Sequence, residues 1–185
     1  MTADATRRRS PLEGVELPER IREVPFLAQL DLRVDPADAA ARAAIESVIG
    51  RLPLAPNTFH GGADASVLWL GPDEWLVVGP PGGEAALEAQ LREALGALGP
   101  AVAIVDVSAN RTTIELSGPA ARDMLEQGCP LDLERDVRPG SCAQTLVARA
   151  NVIVAQIDDA PTYRLFVRPS FAAYLAAWLA DARSA

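Results

Sequence analysis

The chain of 185 residues contains no lysine: all 17 of its basic residues are arginine. That excludes Schiff-base catalysis by this chain and a lysine-dependent phosphate-binding loop. There is one histidine, His60, and no Gly-x-Ser-x-Gly elbow anywhere to supply a nucleophile for it. The two cysteines, Cys129 and Cys142, are too far apart for a Cys-x-x-Cys motif and are expected to be free and buried. One histidine and two scattered cysteines also lack the close-spaced ligand pair of a zinc site. No apolar run approaches membrane-spanning length, and none follows Arg7, Arg8 and Arg9 as it would in a signal peptide. A cytoplasmic protein is expected. With a net charge of −8, the surface repels phosphate backbones, which argues against nucleic acid as a partner.

What is present is an apolar fraction of 49%, enough for one globular body of moderate size. Residues 1–20 form an Arg-, Pro- and Glu-rich arm without apolar periodicity. Leu30, Leu32 and Val34 alternate as in a half-buried strand. Asp35-Pro36-Ala37-Asp38 then opens a helix, with Asp35 as its expected cap, and Ala41, Ala44, Ile45, Val48 and Ile49 form its apolar face up to Gly50. Residues 52–65 read as loop, and His60 in Phe59-His60-Gly61-Gly62, faintly similar to the oxyanion loop of esterases, reads as a loop histidine. Ser66–Leu70 and Trp75–Val78 make a hairpin about Gly71-Pro72-Asp73-Glu74. Leu87, Leu91, Leu95 and Leu98 recur at helical spacing until Gly99-Pro100.

The second half repeats this grammar. Thr112–Leu116 reads as a strand, Ser117 as the cap of a helix carrying Ala121, Met124 and Leu125, and Val152–Ile157 with Tyr163–Val167 as a hairpin. Ser170 is the expected cap of a helix with Phe171, Tyr174, Leu175, Trp178 and Leu179 on one face. Strand, helix, hairpin and helix therefore occur twice, offset by roughly 85 residues. The expected fold class is α+β: internally duplicated units, residues 21–99 and 100–185, packed about a pseudo-two-fold axis as one compact body.

The stretch Val105-Asp-Val-Ser-Ala-Asn-Arg-Thr-Thr-Ile-Glu-Leu116 concentrates polar groups. Val105 and Val107 are expected to face inward, Ser108-Ala109-Asn110 to form a turn or bulge, and Asp106 and Arg111 to be able to meet as a salt bridge across it. No second carboxylate, histidine or activated nucleophile is near in sequence, so a structural clamp is favoured over a catalytic acid. No catalytic, cofactor-binding or metal residue is named.

Several segments, in order and over nearly the whole chain, resemble the gamma subunit of heterotetrameric sarcosine oxidase. They are Arg8-Arg9-Ser10-Pro11-Leu12, Leu70-Gly71-Pro72-Asp73-Glu74-Trp75-Leu76, Asp106-Val107-Ser108-Ala109-Asn110-Arg111, Gly128-Cys129-Pro130-Leu131-Asp132-Leu133, and Ser170-Phe171-Ala172-Ala173-Tyr174-Leu175 with Trp178-Leu179. The resemblance implies a fold like the folate-binding domain of aminomethyltransferases and YgfZ-like proteins. It also implies a non-catalytic subunit packed on an alpha subunit, with beta and delta completing the complex. The cofactors FAD, FMN, NAD, tetrahydrofolate and zinc would then belong to the other subunits, which demethylate sarcosine to glycine, pass the one-carbon unit to tetrahydrofolate and release hydrogen peroxide. Leu12 would anchor the arm on the alpha subunit. The alternative is a free-standing YgfZ-like folate-binding protein of one-carbon or iron–sulfur metabolism. Its Lys-Gly-Cys-aromatic-x-Gly-Gln-Glu signature is matched only poorly by Arg138-Pro139-Gly140-Ser141-Cys142-Ala143-Gln144-Thr145.

Overall fold

A computed structural model of the chain describes residues 8–61 and 65–184, so Arg7 and Gly62, both singled out above, lie outside the described residues. Ten strands form two five-stranded antiparallel sheets. The first sheet holds β2 (Leu27–Arg33), β3 (Phe59–Gly61), β4 (Ser66–Gly71), β5 (Glu74–Pro81) and β6 (Ala103–Asp106), in the order β3-β4-β5-β2-β6. The second holds β1 (Ile21–Glu23), β7 (Thr112–Ser117), β8 (Cys142–Val147), β9 (Ala150–Asp158) and β10 (Thr162–Val167), in the order β1-β7-β10-β9-β8. The sheets stack face to face, and each is covered on its outer face by helices. Alternation along the strands produces these layers. Trp75 and Val77 of β5 point to α1 (Ala39–Ile49) and α2 (Glu84–Leu95), while Leu76 and Val78 point to the other sheet. Likewise Val152 and Val154 of β9 face α3 (Ala121–Glu126) and α5 (Pro169–Ser184), while Ile153 and Ala155 meet Leu68, Leu76 and Phe166 between the sheets. Among the described residues no helix is long and apolar enough to cross a membrane.

The α+β class, both hairpins and the α1 face correspond to the expectations from sequence, and several local readings are corrected. Helix α1 is capped by Asp38, whose Oδ1 accepts from the amides of Ala40 and Ala41 at 3.1 and 2.9 Å. Asp35 instead accepts from Ala37 N at 2.9 Å, closing a turn that carries Pro36 ahead of the helix. Ser117 caps nothing: Gly118 takes φ +96°, and α3 starts from Ala120 without a side-chain cap. Ser170 lies inside α5, which begins at Pro169. The buried face of α5 is Ala172, Leu175, Ala176, Leu179 and Ala182, while Phe171 and Tyr174 project outward and stack edge to face at 6.5 Å. His60 lies on β3, opposite Val67, because the segment read as loop pairs with β4.

The arm is also corrected. Leu12 is 4% exposed and packs into this chain's own core with Ile114 and Leu116. Arg8 forms an ion pair with Glu84 of α2, and Ser10 donates to Glu23, whose other oxygen accepts from Thr112. Leu12 is therefore committed to this chain's own core and is not the exposed anchor expected of it.

Candidate functional site

The polar stretch around Ser108 is built as a clamp. Strand β6 is an edge strand paired only with β2. Its Ile104 turns into the helix-covered core, while Val105 is 53% exposed, the reverse of the face expected for it. Beyond it, Ser108–Asn110 forms one 3₁₀ turn. The Ser108 hydroxyl donates to Asp106 Oδ1 at 2.6 Å, the Ser108 amide donates to the same oxygen at 2.9 Å, and Ser108 Oγ accepts from Gln29 N at 2.9 Å. Gln29 then donates through Nε2 to the Arg111 carbonyl at 3.0 Å. Every one of these bonds ties the turn or its flanking residues Asp106 and Arg111 together or to β2. A nucleophilic serine needs an acceptor that relays its proton, whereas this hydroxyl donates to a carboxylate that also holds the turn's backbone amide, and one of its lone pairs is taken by a backbone amide of β2.

The Asp106–Arg111 salt bridge that the sequence allowed does not form; Asp106 Oδ1 instead accepts from the amide and the hydroxyl of Ser108. Among the described residues the Arg111 guanidinium makes no hydrogen bond or ion pair. Burial, and then the nearby charge of Arg168, push its pKa below the usual arginine value. Arg111 is the wall between two cavities. One, of about 400 Å³, lies beneath the arm and is lined by Arg8, Arg9, Phe26, Asp106 and Ser108 among others. Phe26 is held there at φ +61°, a left-handed conformation that costs a bulky residue energy and tends to occur where surroundings over-determine it. The other, of about 520 Å³, opens at the ends of β8, β9 and β10 and includes Arg168. Arg168 escaped sequence reading because it completes no local motif; only the turn of β10 into α5 carries it to Arg111.

Cys142 is completely buried, its thiol set between the carbonyl oxygens of Thr58 and Trp69 at 3.3 and 3.5 Å. Burial pushes its pKa up to about 12, so it stays a neutral thiol near neutral pH and is unsuited to nucleophilic chemistry. In the folded chain Cys142 is expected not to react with a thiol-specific disulfide reagent at pH 8, and to react once unfolded; reaction in the native state would refute the buried placement. The unfolded thiol titrates near 9 and the folded one near 12. The folded state therefore holds the extra proton in that window, and this contribution to stability is present below pH 9 and lost as pH rises toward 12. Among the described residues no three His, Cys, Asp or Glu side chains converge as metal ligands.

The two stacked antiparallel sheets flanked by helices resemble in fold a solved aminomethyltransferase. The glycine cleavage system aminomethyltransferase T of Bartonella henselae superposes with a TM-score of 0.63 at 12% identity, over 86% of this chain and 44% of that one. That likeness is one of fold alone. Closer similarity is found elsewhere: the sequence profile of the sarcosine oxidase, gamma subunit family matches residues 33–185, and this chain belongs to that family. It is 36% identical over 167 residues to the sarcosine oxidase subunit gamma of Corynebacterium sp. (strain P-1), covering 89% of this chain and 80% of the relative. A chain of the heterotetrameric sarcosine oxidase from Corynebacterium sp. U-96, solved in complex with pyrrole 2-carboxylate, superposes with a TM-score of 0.82 at 34% identity, over 96% of this chain and 95% of that one.

Proposed function

We propose that this chain serves as the non-catalytic gamma subunit of a heterotetrameric sarcosine oxidase, which oxidatively demethylates sarcosine to glycine, transfers the one-carbon unit to tetrahydrofolate and produces hydrogen peroxide. The observation that carries this reading is end-to-end similarity, in sequence and fold, to a subunit of an assembled heterotetramer. Its partners in the reading are an alpha subunit, which it packs against, together with beta and delta, and the flavin, nicotinamide, folate and zinc sites belong to them. Support comes from side chains: no lysine is present, Ser108 is tied to backbone, and Cys142 is buried and neutral. A cytoplasmic location fits two buried cysteines that remain free thiols.

The body further reads as a duplication, with residues 1–20 as an arm and 21–99 and 100–185 as halves. Supporting it, β3-β4-β5-β2 and β8-β9-β10-β7 have the same order, displaced by five strands. The outermost position beside β2 is filled by β6, and the one beside β7 by β1. Each half thus lends its leading strand to the other's sheet, which locks the halves into one body about a pseudo-two-fold axis.

Recovery of the chain from its own cytoplasm under native conditions tests the reading. The expected result is a large companion and a flavin-coloured one, with sarcosine-dependent peroxide formation by the assembly. A lone colourless protein with saturable tetrahydrofolate binding would overturn it in favour of a YgfZ-like role.

A further inference from the structure

We infer that the cleft between Arg111 and Arg168 receives an aspartate or glutamate side chain of another subunit of the complex; this rests on the subunit reading above. The cleft is lined by two arginines and by the polar side chains of Gln144, Thr145 and Asn151, and no carboxylate lines it. That is a notable exclusion in a chain with 25 acids against 17 bases. Several other arginines of this fold find acids: Arg8 has Glu84, Arg22 and Arg164 share Glu115, and Arg33 has Glu74 at 2.7 Å. Arg111, by contrast, lines the cleft beside a second guanidinium, and among the described residues its own guanidinium has no hydrogen-bond or ion-pair acceptor. Asp31 and Glu74 act on it more weakly than burial and Arg168 do, and neither forms an ion pair with it. Burying a cation without a counter-charge is costly, and a carboxylate entering the cleft removes that cost.

The site has the chemistry for such a group. Two planar guanidinium forks match the two oxygens of a carboxylate, and the Asn151 amide and Thr145 hydroxyl add donors at the wall. Its rim suits a protein surface more than a free solute. Leu146, which lines the cleft, is 41% exposed, and it lies on β8, the outermost strand of its sheet. An exposed apolar side chain beside an unsatisfied arginine pair is a typical composition for a subunit contact.

The test is co-expression of the full chain, tagged, with the other subunits, comparing wild type with Arg168→Glu and Arg168→Gln. Arg168 is exposed, so both variants are expected to keep the wild-type circular dichroism spectrum. Association is expected to weaken at least about tenfold in Arg168→Glu and less in Arg168→Gln, with a shallower salt dependence in both. Wild-type affinity in both variants would overturn the inference while leaving the subunit reading intact; failure of the wild type itself to bring any companion would overturn both. A third outcome, in which succinate raises the melting temperature of the wild type but not of Arg168→Glu while association is unchanged, would assign the cleft to a free acid and overturn the partner assignment.

Discussion

Trp75→Ala is expected to lower the stability of the chain by about 3–5 kcal/mol, a large share of the roughly 5–15 kcal/mol that holds a domain together. Trp75 is fully buried in the middle of β5, among Leu32, Ile45, Leu52 and Leu91, where the first sheet meets α1 and α2. Its indole Nε1 also donates to the Pro53 carbonyl at 2.7 Å and so fixes the loop that leads out of α1. Alanine would leave a cavity of most of an indole and an unpaired carbonyl beside it. The two losses separate experimentally. Trp75→Phe keeps most of the apolar volume but not the donor, and should cost about 1–3 kcal/mol. In urea unfolding the midpoint should fall in the order wild type, Phe, Ala with little change in slope. Wild-type midpoints for Trp75→Ala would mean that Trp75 does not sit in this core.

Local periodicity made legible those elements whose burial is one-sided and whose partners are near in sequence. The four-residue spacing of Leu87, Leu91 and Leu95 and the turn at Pro72-Asp73 required nothing from elsewhere in the chain. Strand β1 is three residues long and exists because Ile21, Arg22 and Glu23 pair with Leu116, Glu115 and Ile114, far along the chain; nothing local distinguishes it from the arm. The two aspartates before α1 were equivalent by composition, and geometry alone gave the turn to Asp35 and the cap to Asp38. In α5 large aromatics drew the expected face toward Phe171 and Tyr174. The helix instead lies close to its sheet through Ala172 and Ala176, and a Cβ at Gly128 would come within 2.6 Å of Trp178. Arg111 was visible as a residue with chemical potential but not as a cation without an acceptor among the described residues, since that depends on Asp106 turning to Ser108 and on Arg168 arriving from 57 positions later.

Glu115→Ala is expected to cost about 2–4 kcal/mol, less than the full penalty for opening a buried ion pair because one of its partners is largely solvated. Glu115 is 6% exposed on β7, with Arg22 of β1 and Arg164 of β10 as its direct cross-strand neighbours. Its Oε1 accepts from Arg22 at 2.6 and 2.8 Å and its Oε2 from Arg164 at 3.0 Å, so one carboxylate joins three adjacent strands. Removing it leaves Arg164, whose side chain is 27% exposed, without its counter-charge, and leaves β1 with only three residues of backbone pairing. The loss should therefore be uneven. Amide exchange at Ile21–Glu23 is expected to accelerate more than at β9 and β10, and the arm, whose Ser10 is held by Glu23, should become the first site of proteolytic cleavage. Glu115→Gln keeps one acceptor oxygen, enough for one of the two arginines, and should lie between wild type and Ala. Uniform acceleration across the second sheet would show instead that Glu115 supports the sheet as a whole. Wild-type exchange at β1 would show that the strand is held on β7 by its backbone and Leu12, without help from charge.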